Sequence, residues 1–533
     1  CHAGRSHSFR HGPLHAGQPW AGVDDRPAGI CGVQLHGPRA LVSLPRKGKR
    51  MSEIVFKSAL ELGRMLKKKK LSAVELLGEC LTQYARHNAR INAVILTDLN
   101  RARAAAQAAD KRLAAGETLS PFDGVTMTAK ESFDWQGHPS TWGDPALIDN
   151  VPTKNAVALQ RMLDAGAVMY GKTNVPLSLA DWQSFNAVYG TTNNPWDVTR
   201  TPGGSSGGSA AALATGMTAL EIGSDIGASI RNPAHYCGVY GHKPTYGVVP
   251  YRGHLMPGSV SISDITVAGP LARSARDLSA MMGLLAGTEG IEAHGLQVKL
   301  PKPRFTALKE LRVAVKLNSP VSDVDQSYQN RLIALGEFLK KKVKTLSYTA
   351  EPGFSDEEAY ENYITLLRAT ATKRMSEAEI DAAREKARSF DPGDKSYVPL
   401  MTRAFALSHG EWLRANERRH QMAVAWDQFF EDWDVLLCPA AASAAWPHDQ
   451  VGERHERFIP VNGKQVSTID QRFWAGYSGN FYLPSTIAPI GLIPAGLPVG
   501  VQIISRAYGD YTSLKVAEWI EEEFGGFAVP PGY

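Results

Sequence analysis

Cysteine is scarce in this chain. Five residues, Cys1, Cys31, Cys80, Cys237 and Cys438, are spread over 533 positions with no Cys-x-x-Cys pair. That odd, unpaired set excludes a disulfide-stapled secreted scaffold and a zinc ribbon, and it suits a reduced cytoplasmic protein. Long hydrophobic runs are missing too. No stretch of 18 apolar residues and no signal-peptide core occurs, so neither a membrane span nor secretion is expected. Net charge is small once it is located. The formal charge is +5, but the first fifty residues hold eight Lys and Arg against two Asp and Glu, which leaves the rest one charge negative. That balance gives no reason to expect a nucleic-acid or membrane partner. The run Lys67–Lys70 lies between two helical patterns and reads as a solvated turn.

Residues 1–50 also lack an apolar period. They string His2, His7, His11 and His15 among Gly and Pro, and are predicted to be a tail outside the fold. Residues 51–533 read as one domain. Ser58…Glu61 and Ser72…Glu75 are spaced as capping boxes ahead of helices over 58–67 and 72–90, and an Ala-rich helix is expected from about 97 to 115. Residues 121–130 read as a turn into a short buried strand, 156–166 as helix and 167–171 as strand. Strands alternating with helices indicate an α/β layer fold. Residues 345–430 are charged and helical in pattern, a helical excursion expected over the active-site face, and strands return after Trp433 and at 500–505.

Two patterns mislead. Gly166-Ala-Val-Met-Tyr-Gly171-Lys172-Thr173 fits the phosphate-loop spacing, yet its interior is strand material and no helix start follows. Gly203-Gly-Ser205-Ser206-Gly207 fits G-x-S-x-G, but a nucleophile elbow ends a buried strand, and what precedes it here is polar loop. An esterase with a Ser-His-Asp triad is therefore a runner-up.

The stronger signal is three ordered segments. They are Gly203-Gly-Ser-Ser-Gly-Gly-Ser-Ala-Ala-Ala212, Ile222-Gly-Ser-Asp-Ile-Gly-Ala-Ser-Ile-Arg-Asn-Pro233 and Cys237-Gly-Val-Tyr-Gly-His-Lys-Pro-Thr245. Together with Gly171-Lys-Thr-Asn174, Asp434-Val-Leu-Leu-Cys-Pro439 and Gly496-Leu-Pro-Val-Gly-Val-Gln502, they closely resemble the amidase signature family over about 52–525. The resemblance implies a large mixed β-sheet covered by helices on both faces. It implies Ser229 as nucleophile, Ser205 on a cis peptide as proton relay, and Lys130 as base. Backbone N–H groups of Ile226, Gly227, Ala228 and Ser229 would form the oxyanion hole, with Asp225 and Arg231 bracing that loop and Ser206 assisting.

The chemistry is coherent. Amide hydrolysis needs a nucleophile, a base, an acid for the leaving amine and donors for the oxyanion, and it needs no metal or organic cofactor. A lone buried lysine is ordinarily a paired structural charge and a lone serine in a Gly-rich loop a turn residue. Order and spacing of the whole set carry the reading. Two departures stand out: Ala228 where many relatives have Gly, and Glu131 where Asp is common after the lysine. If residue 228 needs φ > 0, alanine adds about 1 kcal/mol of strain. Glu131 is expected to alter bracing only.

The expected substrate is a small-molecule amide, aryl amides among them, with a carbamate (urethane) chemically equivalent at the carbonyl. The resemblance allows a homodimer. A glutamine-hydrolysing subunit of a tRNA-dependent amidotransferase shares the triad, but Asn232–His242 looks more like the stand-alone amidases.

Overall fold

A computed structural model describes residues 53–533, so the tail predicted over 1–50 lies outside the described residues. Eleven strands make one mixed sheet. Their order across it is Val94–Thr97, Val168–Thr173, Thr126–Lys130, Leu220–Asp225, Val267–Ala272, Tyr240–Lys243, Ser485–Leu492, Pro498–Ile504, Val435–Pro439, Arg312–Val315 and Thr345–Ser347. Parallel pairs lie towards both ends of that order and antiparallel pairs through its middle, with Val94–Thr97 added antiparallel at the first edge. Among the described residues there are fourteen α-helices, packed on the sheet and on one another. This is the layered fold the resemblance implies.

Local signals account for much of it. Ser72 caps the helix Ala73–Ile91 with both arms of a capping box in place. Ser58 accepts only the Glu61 N–H ahead of Ala59–Lys67, because the Glu61 carboxylate pairs with Lys57 instead. Gly166–Thr173 does not curl around anything: Val168–Thr173 is a fully buried strand, as its Val-Met-Tyr content demands.

The Gly- and Ala-rich stretch after the serine loop becomes the helix Gly207–Ala214, with every residue buried. Small side chains are required there: a Cβ on Gly208 would sit 2.3 Å from the Asn174 backbone nitrogen. The helical excursion starts later than expected. Thr345–Ser347 is an edge strand pairing with Arg312–Val315, and helices Asp356–Ala369, Glu377–Arg388, Tyr397–Phe405 and His409–Asp432 follow. The first of these crosses the helix Arg472–Gly479 closely, at Gly476, where a Cβ would lie 2.4 Å from Tyr363 Cδ1.

Candidate active site

Strands Thr126–Lys130 and Leu220–Asp225 run parallel, with Ala129 opposite Ile222, so their carboxyl ends open at one edge, the usual place for a ligand in such a sheet. Lys130 ends the first strand and Asp225 the second. Lys130 is fully buried, and its Nζ donates to Ser205 Oγ (2.6 Å), Ser224 Oγ (2.9 Å) and Ser224 O (3.4 Å). Burial draws its ammonium down to about 7, against the pull of Asp225 and Glu221, which favour the charge. Neither carboxyl opposes burial fully. Glu221, donated to by Thr128 at 2.6 Å, is itself pushed up to about 8 by burial, and Asp225 is committed to Arg231.

The serine loop enters this pocket with a left-handed Gly203 (φ 87°) and a cis Gly204–Ser205 peptide, the feature the resemblance implies. Ser206 stands at the N-cap of the following helix; its N–H donates to Ser229 O at 3.1 Å and its hydroxyl lies 3.5 Å from Ser224 O. The loops bearing Ser205 and Ser229 are thus tied to each other.

Residues 225–231 wrap around one carboxylate. Asp225 accepts the N–H groups of Ala228 (2.8 Å), Ile230 (3.1 Å) and Arg231 (3.4 Å), and the Arg231 guanidinium grips it with Nε (3.0 Å) and Nη2 (2.9 Å). Burial would raise the Asp225 carboxyl, but Arg231 holds it below the usual range. Arg231 Nη1 donates onward to Ala475 O and Ser478 Oγ of the helix Arg472–Gly479 and to Gln502 Oε1 of the sheet, anchoring the loop to both.

This geometry corrects one expectation. The Ala228 N–H is spent on Asp225 and is not free for an oxyanion. Among the described residues no acceptor receives the N–H of Ile226, Gly227 or Ser229, so three of the four expected donors remain. Residue 228 does require positive φ (71°), which alanine adopts here with strain. The carbonyls of Ile226 and Gly227 accept from Tyr363 Oη (3.4 Å) and Trp182 Nε1 (2.7 Å). Glu131 braces a neighbouring loop by accepting the N–H groups of Thr141 and Trp142.

Ser205, Ser224 and Ser229 open onto a cavity of about 270 Å³ that Trp142, Trp182 and Leu367 also line. Among the described residues no three His, Cys, Asp or Glu side chains gather as a metal would need.

Residues 75–514 match the family model described as Amidase. The chain belongs to the amidase signature family. It is 31% identical over 491 residues to a glutamyl-tRNA(Gln) amidotransferase subunit of Chloroflexus aggregans, covering 88% of this chain and 96% of that one. A solved structure described as an amidase superposes with a TM-score of 0.70 at 26% identity, over 88% of this chain and all of the other. A bacterial aryl acylamidase of the amidase signature family shares the fold with a TM-score of 0.73 at 24% identity, over 90% and 99%.

The runner-up triad finds no support in this amidase signature fold. Among the described residues no histidine hydrogen-bonds Ser205, Ser206 or Ser229. His254 lines the cavity but bonds Ser132 Oγ (2.9 Å), and burial, reinforced by the Lys130 charge, holds its pKa far below the ordinary value. His242 pairs with Asp510 and Thr486 instead. Ser224 is the residue that sequence reasoning missed. It stands inside the quoted segment Ile222–Pro233, but only the sheet pairing shows its hydroxyl beside Lys130. Trp142, Trp182 and His254 had no sequence signal at all.

Proposed function

We propose that this chain hydrolyses carboxylic amide C–N bonds through an acyl-enzyme on Ser229. The observation that carries the reading is the fully buried Lys130 amine 2.6 Å from Ser205 Oγ, with Ser205 and Ser229 lining the same cavity. Ser229 Oγ attacks the carbonyl carbon, its proton passes to Ser205, and the Ser205 proton passes to neutral Lys130. The N–H groups of Ile226, Gly227 and Ser229 receive the oxyanion. Collapse expels the amine, which takes its proton back along the same relay, and water then cleaves the acyl ester. A urethane presents the same carbonyl–nitrogen bond, so carbamates fall within the reach of this machinery, as do aryl amides.

The test is a panel of chromogenic amides, esters and carbamates with the purified chain and its Ser229→Ala variant. Turnover of anilides by the parent and not by the variant is expected; equal turnover by both would dispose of Ser229 as the nucleophile. A second reading has one observation in its favour, the 31% identity to a glutamyl-tRNA(Gln) amidotransferase subunit. It predicts glutamine hydrolysis that depends on partner subunits and no anilide hydrolysis by the chain alone, so the same panel with glutamine added separates the two.

A further inference from the structure

The cavity wall carries guanidinium groups that no carboxylate among the described residues contacts as an ion pair, although Asp181 and Glu453 lie near enough to Arg454 to favour its charge. Arg472, the first residue of its helix, is 7% exposed and stacks over the Trp182 ring at 5.9 Å, and among the described residues its side chain has no hydrogen-bond or ion-pair partner. Its Nη1 would lie 3.5 Å from a Cβ on Gly227, which places it against the oxyanion loop. Arg368 lies over the Tyr397 ring at 5.2 Å, with Nε and Nη2 buried and unpartnered. Arg454 meets only the Ala180 carbonyl. All three line the cavity that holds Ser205 and Ser229.

These groups are close enough to oppose one another. Burial, and then the charge of Arg472, lowers the pKa of both Arg368 and Arg454. The acidic side chains on the same wall are already used, Asp181 by Arg457 and Asp225 by Arg231. Elsewhere in the protein the buried guanidinium groups are answered, Arg231 and Arg419 by a carboxylate and Arg273 by the carbonyls of Leu213, Thr218 and Lys57. Three clustered guanidinium groups without a counter-ion, in a cleft open to ligand, form an anion receptor: their N–H forks match a carboxylate, and mutual repulsion is relieved when one binds.

We propose that the substrates are anionic, amides or carbamates whose carboxylate lies against Arg368, Arg454 and Arg472 while their carbonyl meets Ser229. This rests on the amidase reading and narrows its substrate class.

Two series test it with the full chain. In one the carboxylate is on the acyl side: succinic acid 4-nitroanilide, its methyl ester, and butyric acid 4-nitroanilide. In the other it is on the amine side: 4-acetamidobenzoate, its methyl ester, and acetanilide. In at least one series the free acid should exceed its neutral partners about tenfold or more in kcat/KM, chiefly through KM, the size of a charge-assisted contact. Arg472→Gln and Arg368→Gln should shrink that ratio, and Arg472→Lys should retain part of it. Calorimetric binding of the same compounds to the parent and to Ser229→Ala supplies a readout that needs neither turnover nor a substituted arginine. Neutral anilides cleaved as well as the acids in both series would overturn the anionic substrate and leave the amidase standing. Preferential binding of the acids without any hydrolysis would keep the anion site and remove the amidase. Equal binding, or none, across both series would overturn the anion site.

Discussion

Lys130 must be without its proton before it can take one from Ser205. At its ordinary value of about 10.4, roughly one molecule in 2,500 would be ready at pH 7. In the fold, burial brings the group to about 7, so about half the molecules are ready at neutral pH, a gain of about a thousandfold. That displacement is worth about 5 kcal/mol at about 1.4 kcal/mol per power of ten, and the stability of the folded chain bears it. The sign follows from proton counting. Between the folded value and the unfolded one the unfolded chain binds more protons, so this lysine lets stability rise with pH from about 7 to about 10.4. Activity has the same direction: kcat/KM on an anilide should climb about tenfold from pH 6 to pH 8 and then level off. Lys130→Ala should abolish both activity and the slope. Lys130→Arg should not rescue, because a guanidinium keeps its proton throughout this range. The assay is kcat/KM from pH 6 to 9 at constant ionic strength for parent and variants. A flat profile, or an Arg variant with more than a few per cent of parental activity, would refute Lys130 as the base and leave it a fixed charge orienting Ser205.

Ser229→Ala should lose about four orders of magnitude or more in kcat with an unchanged melting curve, since one hydroxyl is removed and no bulk added; substantial residual turnover would transfer the role to another serine. Arg231→Met strands the Asp225 carboxylate in a buried loop and should cost about 3–5 kcal/mol in urea unfolding, whereas a loss below about 1 kcal/mol would show that the loop is held by other contacts. Ala228→Gly should leave stability nearly unchanged, because relief of about 1 kcal/mol of left-handed strain offsets the similar entropic penalty of glycine; a loss well beyond about 1 kcal/mol would mean that the buried methyl packs harder than its backbone strains.

What could be read before any coordinates was local or carried by order along the chain. Ser72 and Glu75 announce a helix start because both arms of a capping box lie within one turn. The Val-Met-Tyr interior of 166–173 rules out a phosphate loop because such residues favour a pleated, buried strand. The succession of Lys130, Ser205, Ser229 and their flanking motifs marks the resemblance to the amidase signature family. The edge strand Thr345–Ser347 was not legible, since three half-exposed residues carry too little period to stand out from the helices that follow.

Tertiary structure decided the rest, because it depends on groups that only the sheet brings together. Ser224 reaches Lys130 from 94 positions away. The Ala228 N–H is lost to Asp225 by the way seven residues fold around one carboxylate, which no spacing rule expresses. Arg368, Arg454 and Arg472 look in sequence like three ordinary solvated charges. They become a receptor only when the helix Asp356–Ala369 and the helix beginning at Arg472 cross at Gly476 and turn their cationic residues into the same cleft. The resemblance carried by ordered motifs thus named the candidate catalytic residues. The charge of the cavity they serve is set by burial and by which carboxylates are already taken, and both are properties of the packed molecule alone.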